Sequence, residues 1–240
     1  VSGTLDVNVG AISGTTTEAG GTATFAVVLD MQPSADVTIA VSSSDTTEGT
    51  ASTALLTFTS GNWNIAQTVT VTGVDDALDD GAIAYSILTG ATASTDPLFD
   101  AVAVADVSVT NTDNDTSGVT VSTISGDTTE AGGSATFTVV LDAQPTADVT
   151  ISVATGDATE GSVATSSLTF TSGNWNIAQT VTVTGVDDAV ADGDVVYSIT
   201  TGTASSADGD YNGLAVSDVA LTNTDNDSPG VTVSAISGTT

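Results

Sequence analysis

Residues 56–77 read LTFTSGNWNIAQTVTVTGVDDA, and residues 168–189 repeat them letter for letter, 112 positions further on. Inside the stretch, Thr68-Val69-Thr70-Val71-Thr72 alternates with a period of two, as a strand with one buried face requires. That strand runs directly into Asp75-Asp76, and Asp79-Asp80 follow. A strand aimed at an acidic loop is the element that the chain duplicates.

Outward from that stretch, two copies of a 112-residue unit fill most of the 240 residues, and residues 231–240 replay 119–128 as the opening of a third. The chain therefore divides into 1–116, 117–228 and the start of a third repeat at 229–240. Each copy matches the roughly 100 residues of an immunoglobulin-like sandwich, whereas solenoid periods of about 20–50 residues are too short to compete. In the first copy, seven strands are expected at 7–12, 21–30, 36–42, 52–59, 65–73, 82–89 and 101–112.

Comparing the copies orients the strands. Leu55 becomes Ser167 while Leu56 and Phe58 return as Leu168 and Phe170, so Leu55 faces out. Ala82 and Leu88 become Asp194 and Thr200 while Tyr85 and Ile87 return as Tyr197 and Ile199, so the latter pair faces in. A shift of apolar phase between Val104 and Val107 predicts a bulge near Asp106. Helical periodicity is absent. The expected fold is all-β: two tandem seven-stranded immunoglobulin-like sandwiches, end to end, across a linker of residues 116–118 far shorter than a flexible tether.

The charge balance is one-sided. There is no Lys, Arg or His against 30 acids, four of them Glu. Two carboxylates about 5 Å apart at an effective dielectric near 20 repel by roughly 3 kcal/mol, so clustered acids are dispersed, protonated or held by an external cation. Nucleic acid and anionic lipid are excluded as partners, because both are bound through Lys and Arg. Disorder is excluded by 40% apolar residues in alternating runs. Cysteine is absent, which removes disulfides and thiol chemistry, and no run approaches the 18 apolar residues of a membrane-spanning helix.

If the strands alternate up and down, the loops after the first, third and fifth strands and the end of the seventh share one pole. Those places hold Glu18; Asp45 and Glu48; Asp75, Asp76, Asp79 and Asp80; and Asp113 and Asp115, nine of the fifteen acids up to Asp115. The second copy supplies Glu130, Asp157, Glu160, Asp187, Asp188, Asp192, Asp225 and Asp227, with Ala191 in place of Asp79. All four glutamates fall at equivalent positions. Calcium accepts six to eight oxygens from irregular loops, while magnesium demands a strict octahedron and keeps its waters; zinc wants His or Cys. The competing reading is an acidic rim that merely solvates the surface.

The order Glu-x-Gly-Gly before an apolar strand, an Asp-rich loop after the third strand, Leu-Thr-Phe and a turn, alternating valines into Val-Asp-Asp, and a closing Asp-Asn-Asp resembles the Calx-β repeat. The resemblance implies a calcium-binding sandwich module of large surface or secreted proteins. It also implies that Glu18, Asp75, Asp76, Asp113, Asp115, Glu130, Asp187, Asp188, Asp225 and Asp227 stand at calcium-ligand positions. The family's E-x-x-E-x-F segment is replaced here by Asp80-Gly81 and then Tyr85, and its G-x-D-Y element is missing around Glu48. Asp45, Glu48, Asp80, Asp157, Glu160 and Asp192 therefore rest on their place at the acidic pole alone.

The function expected is non-enzymatic: a secreted or cell-surface spacer, stiffened by Ca2+, whose partners are neighbouring repeats. Ser and Thr have no His, Lys or Cys to activate them, and a carboxylate pair such as Asp75-Asp76 lacks the cleft that a glycosidase needs. The alternatives are an adhesin module for a glycan or protein target, and a subunit that self-associates into an extracellular fibre. Trp63 and Trp175, in the repeated turn, are expected to cap the sandwich rather than bind sugar, and Tyr211, which replaces Phe99, to serve packing.

Overall fold

The computed structural model of the chain describes residues 6–235 and 237–238. Residues 1–5 of the first expected domain, and 236, 239 and 240 of the expected third start, lie outside them. The chain divides into two compact units, Val1–Asp115 and Thr116–Thr240, each with its own core. All regular structure among the described residues is β, with no helix.

Unit 1 contains β1 (Val7–Val9), β2 (Thr16–Thr17), β3 (Thr22–Leu29), β4 (Val37–Ser43), β5 (Gly49–Ala51), β6 (Leu55–Phe58), β7 (Gln67–Gly73), β8 (Ile83–Thr89), β9 (Ala93–Ser94) and β10 (Val107–Thr112). One sheet has the order β1-β3-β7-β5; the other has β2-β10-β8-β4-β6, with β9 also on β4. Unit 2 repeats the pattern as β11 (Val119–Val121), β12 (Thr128–Thr129), β13 (Ser134–Leu141), β14 (Val149–Thr155), β15 (Gly161–Val163), β16 (Ser167–Phe170), β17 (Gln179–Gly185), β18 (Val195–Thr201) and β19 (Val219–Thr224). Its sheets run β11-β13-β17-β15 and β12-β19-β18-β14-β16.

The period-two pattern does the work that it promises. Along β3, Ala23, Phe25, Val27 and Leu29 are buried while the residues between them are not, and Phe25 lies opposite Val69 of β7. From the other sheet, Ile39, Phe58 and Ile87 meet them in the core. Leu55 is 52% exposed and Leu56 4%; Tyr85 and Ile87 are buried. Trp63 packs partly buried against the core, and its carbonyl accepts the Leu29 N–H at 3.1 Å.

Three of the expected strands differ in detail, each for a backbone reason. The 7–12 strand ends at Val9, and a second short strand forms in the loop after it. β1 stays on β3, and β2, expected as loop, crosses to the second sheet and pairs in parallel with β10. The 52–59 strand shortens to β6, which pairs with β4, while the loop before it forms β5, which pairs with β7. The 101–112 strand begins only at Val107, so the phase shift marks a strand start and not the expected bulge: Asp106 Oδ1 accepts the Thr89 N–H at 2.8 Å, and the Thr89 hydroxyl reaches the Ala105 carbonyl at 2.8 Å. At the expected third start, Val231 and Val233 are 93% and 85% exposed and in no strand.

Leu55 and Leu56 are one chemistry on two faces, which makes them a direct assay of this register. Leu56→Ala is expected to lower the unfolding free energy by about 2–5 kcal/mol and Leu55→Ala by less than about 0.5 kcal/mol, as read from urea denaturation followed by tryptophan fluorescence.

Candidate metal centre

Four chain segments arrive at one end of unit 1: the residues after β2, β4, β7 and β10. β2 is what delivers Glu18, whose N–H donates to the Thr112 carbonyl at 3.0 Å and locks the parallel pairing in place. The loop after β4 returns through Glu48, whose carbonyl accepts the Val74 N–H at 3.0 Å. The Asp113 carboxylate accepts the Asp115 N–H at 2.6 Å and the Gly81 N–H at 2.8 Å, so the end of β10 holds the 75–81 loop. Asn114 donates its N–H to Glu18 Oε2 at 3.1 Å and its amide to Asp75 Oδ1 at 3.1 Å.

A neutral buried hub sits beneath these acids. Asn111, 1% exposed, donates to Glu48 Oε2 at 3.4 Å and to the Val74 carbonyl at 3.0 Å, and accepts from the Thr16 hydroxyl at 2.9 Å. Thr16 also meets the Tyr85 hydroxyl at 3.1 Å. The hub leaves no room for side chains around it: a Cβ on Gly73 would lie 2.2 Å from the Thr17 carbonyl oxygen and 2.5 Å from Asn111 Oδ1, and one on Gly49 2.1 Å from the Tyr85 hydroxyl. Unit 2 repeats it with Asn223, Thr128, Tyr197 and Glu160. Sequence reasoning passed over Asn111 and Asn223, although a polar residue in the inward phase of Val107-x-Val109-x-Asn111 was the available signal.

Among the described residues the acids gather into three groups whose ligand oxygens lie within 4.8 Å of one another: Glu18 with Asp113 and Asp115, Glu48 with Asp76 and Asp80, and Glu130 with Asp192 and Asp225. Asp75 and Asp187 stand beside them through Asn114 and Asn226. Asp76, and Asp188, which joins none of the three groups, each cap their own loop through the N–H of Leu78 and Val190. Asp45 and Asp157 join none of these groups. Each accepts the N–H and hydroxyl of the threonine two residues on, Thr47 or Thr159, and that bonding holds both carboxyls below the usual range.

Electrostatics follow from burial without a counter-charge. Burial pushes the Glu18 carboxyl up from 4.5 to about 7; the Asn114 N–H opposes the rise, and Asp113 and Asp76 add to it. Burial likewise raises Glu48, Asp80 and Asp115, with neighbouring carboxylates adding to each. At Asp113 burial is outweighed by the Asp115 and Gly81 N–H groups and the Glu18 carboxyl, and the group is held low. Glu130 is held down by the Asn226 N–H, but burial and Asp225, Asp188 and Asp227 raise it on balance. Asp227 Oδ2 is buried with no hydrogen-bond partner, a costly state for a carboxylate oxygen. Clustered hard oxygens, one of them orphaned, in a chain with no positive side chain fit calcium by donor type and number.

No family model matches the chain and no curated protein matches it. Among solved structures, CBD12 from CALX1.2 is similar at 17% identity and a TM-score of 0.36, over 81% of this chain and 79% of that one. The calcium binding domain CBD12 of CALX1.1 follows at 16% and 0.35, over 82% and 79%. Domains 4 and 5 of the S-layer protein SbsC give 14% and 0.31, over 93% and 99%. Likeness at this level transfers no role, so function rests on the residues themselves.

The raised Glu18 has a signed consequence. Between about pH 4.5 and 7 the folded state keeps a proton that the unfolded state has lost, so stability falls as pH rises. The loss is complete above about 7 and amounts to roughly 3 kcal/mol. In chelator, urea midpoints are expected to fall across this window; Glu18→Gln flattens that slope, and added calcium removes it in the parent chain.

Proposed function

We propose that the acidic end of each unit binds calcium and that the chain is a calcium-stiffened spacer of a secreted or cell-surface protein, with a structural rather than catalytic role. One observation carries the reading. Carboxylates from four separate segments are drawn together by backbone N–H groups and buried amides, in a chain that contains no cation of its own. In unit 1, Glu18, Asp113 and Asp115 would form one ligand set and Glu48, Asp76 and Asp80 a second; in unit 2, Glu130, Asp192 and Asp225 would form the set, with Asp227 contributing its orphaned oxygen.

Calcium bound there supplies the missing positive charge; the first set ties the outgoing end of β10 to the segment after β2, and the second ties the loop after β4 to the loop after β7. Asp115 is both a member of the first set and the last residue before unit 2. Ordering it therefore orders the start of the linker, and a string of such joints becomes a rod. The neighbouring repeats are the partners that this role requires.

Isothermal titration of the metal-free chain is expected to show calcium binding, with magnesium weaker because the sets lie on irregular loops. Calcium at about 100 times its dissociation constant should add roughly 2.7 kcal/mol of stability and narrow the range of dimensions seen by X-ray scattering. Asp113→Asn with Asp225→Asn should remove most of the binding. Absence of binding heat, with melting and scattering indifferent to chelator, would overturn the reading.

A further inference from the structure

The buried hub beneath the acids places a hydroxyl, a carboxamide and a carboxyl in one line of contacts. In unit 1 the Thr16 hydroxyl donates to Asn111 Oδ1 at 2.9 Å, and Asn111 Nδ2 donates to Glu48 Oε2 at 3.4 Å. In unit 2, Thr128 donates to Asn223 Oδ1 at 3.0 Å, and Asn223 Nδ2 to Glu160 Oε2 at 3.3 Å. All six residues are buried. The Tyr85 and Tyr197 hydroxyls close the other side of Thr16 and Thr128, at 3.1 and 2.9 Å.

These groups are a nucleophile, an electrophile and a proton relay, in that order. With Thr16 Oγ1 bonded to Asn111 Oδ1, the amide carbon is at most one C=O bond further off. Attack needs only a short swing of the hydroxyl from that oxygen to the carbon, the kind of proximity that speeds intramolecular reactions. Glu48 holds the nitrogen that would leave and takes the part of the His, Lys or Cys that the chain lacks. Burial keeps out the water that would hydrolyse the product. A second hydroxyl and amide pair shows the contrast. Thr59 also donates to Asn62 Oδ1, at 3.2 Å, but that pair is only half-buried, and Asn62 Nδ2 meets the Thr57 carbonyl rather than a carboxyl.

We propose that the hub closes on itself into an ester, Thr16 to Asn111 in unit 1 and Thr128 to Asn223 in unit 2, so that β2 is covalently tied to β10 and β12 to β19. The Thr16 Oγ1 to Asn111 Cγ bond forms and the Cγ to Nδ2 bond breaks. The Thr16 proton passes through the Glu48 carboxyl to Nδ2, which leaves as ammonia. No oxidant or further reactant is consumed, and escape of ammonia drives the step forward. The purpose of the tie rests on the spacer reading above: a pull on the two ends of a unit would pass from Thr16 to Asn111 and bypass the strands between them.

Mass spectrometry of the folded chain, incubated in calcium and in chelator and then denatured, tests this. The chain is expected to be lighter than its sequence by two ammonia masses. Digestion at the acidic residues is expected to yield branched peptides that join Thr16 to Asn111 and Thr128 to Asn223. Thr16→Val and, separately, Glu48→Gln are expected to restore one ammonia and abolish the unit 1 branch alone, with unit 2 as the internal control; Thr16→Ser keeps both branches. Should these variants unfold unit 1, the peptides of the unmodified chain decide. The full sequence mass in both conditions would overturn the tie. So would a loss of ammonia without a branch, as a succinimide at Asn212-Gly213 would give. Chelator breaks no covalent bond, so failure of the calcium reading shows in the titration and leaves the branched peptides in place.

Discussion

A chain with thirty acids and no positive side chain has one constraint that its fold must satisfy everywhere: like charges cannot face each other in a sheet. Directly opposed residues on neighbouring strands are only about 5 Å apart, and like charges there are destabilising. None of the strands contains an acid. Their outward positions are mostly Thr, Ser and Ala with a few apolar residues such as Leu55 and Val196, and in β3 and β7 threonines oppose threonines. All the negative charge is thereby displaced into the loops. Placing it there costs nothing where the loops are solvated, as at Asp45, but it cannot explain why Glu18, Glu48, Glu130 and Glu160 are buried.

The buried glutamates are held by a neutral framework rather than by ion pairing. Asn111 and Asn223 use both ends of their amides, donating to a glutamate and a carbonyl and accepting from a threonine. The bonds to Thr16, Thr128 and the Val74 and Val186 carbonyls involve no carboxyl. Gly73 and Gly185 let the strand before the acidic loop approach that framework within a distance no side chain would allow. The site is thus preformed by groups that carry no charge, and only the occupancy of the carboxylates remains to be settled by pH or metal.

Strand faces were legible in the sequence because period two survives duplication. Where an apolar residue is exchanged for a polar one, as at Leu55 and Ser167, the position faces out, and where the copies agree on a large apolar residue, as at Phe58 and Ile87, it is buried. The shared pole of the acids was legible for the same topological reason. What stayed hidden depends on the partner a strand chooses rather than on its own pattern. Two threonines, Thr16 and Thr17, carry no periodicity, yet they pair in parallel with β10 and so place Glu18. Asp45 looked like a ligand by position, but a threonine two residues on offers its carboxylate a closer partner.

The two units show how much can vary on one scaffold. Their hubs match bond for bond, and the free edges of β6 and β16 are shielded alike: the Thr57 carbonyl accepts from Gln67 and Asn62, and the Thr169 carbonyl from Gln179 and Asn174. Such capping denies a neighbouring chain the hydrogen bonds that edge-to-edge pairing needs, and it is kept in both copies. Charge is not kept. Unit 1 gathers two acidic triads and unit 2 one, in which Asp192 sits with Glu130 and Asp225, although its counterpart Asp80 sits with Glu48 and Asp76. The 75–81 loop and its copy differ at Asp79 and Ala191 and at Leu78 and Val190, small changes in a segment anchored at both ends by Val74 and Gly81 and by Val186 and Gly193. A loop fixed at its ends can change residues between them without disturbing a strand. That is the physical condition for repeats to share one fold while differing in how their carboxylates are grouped.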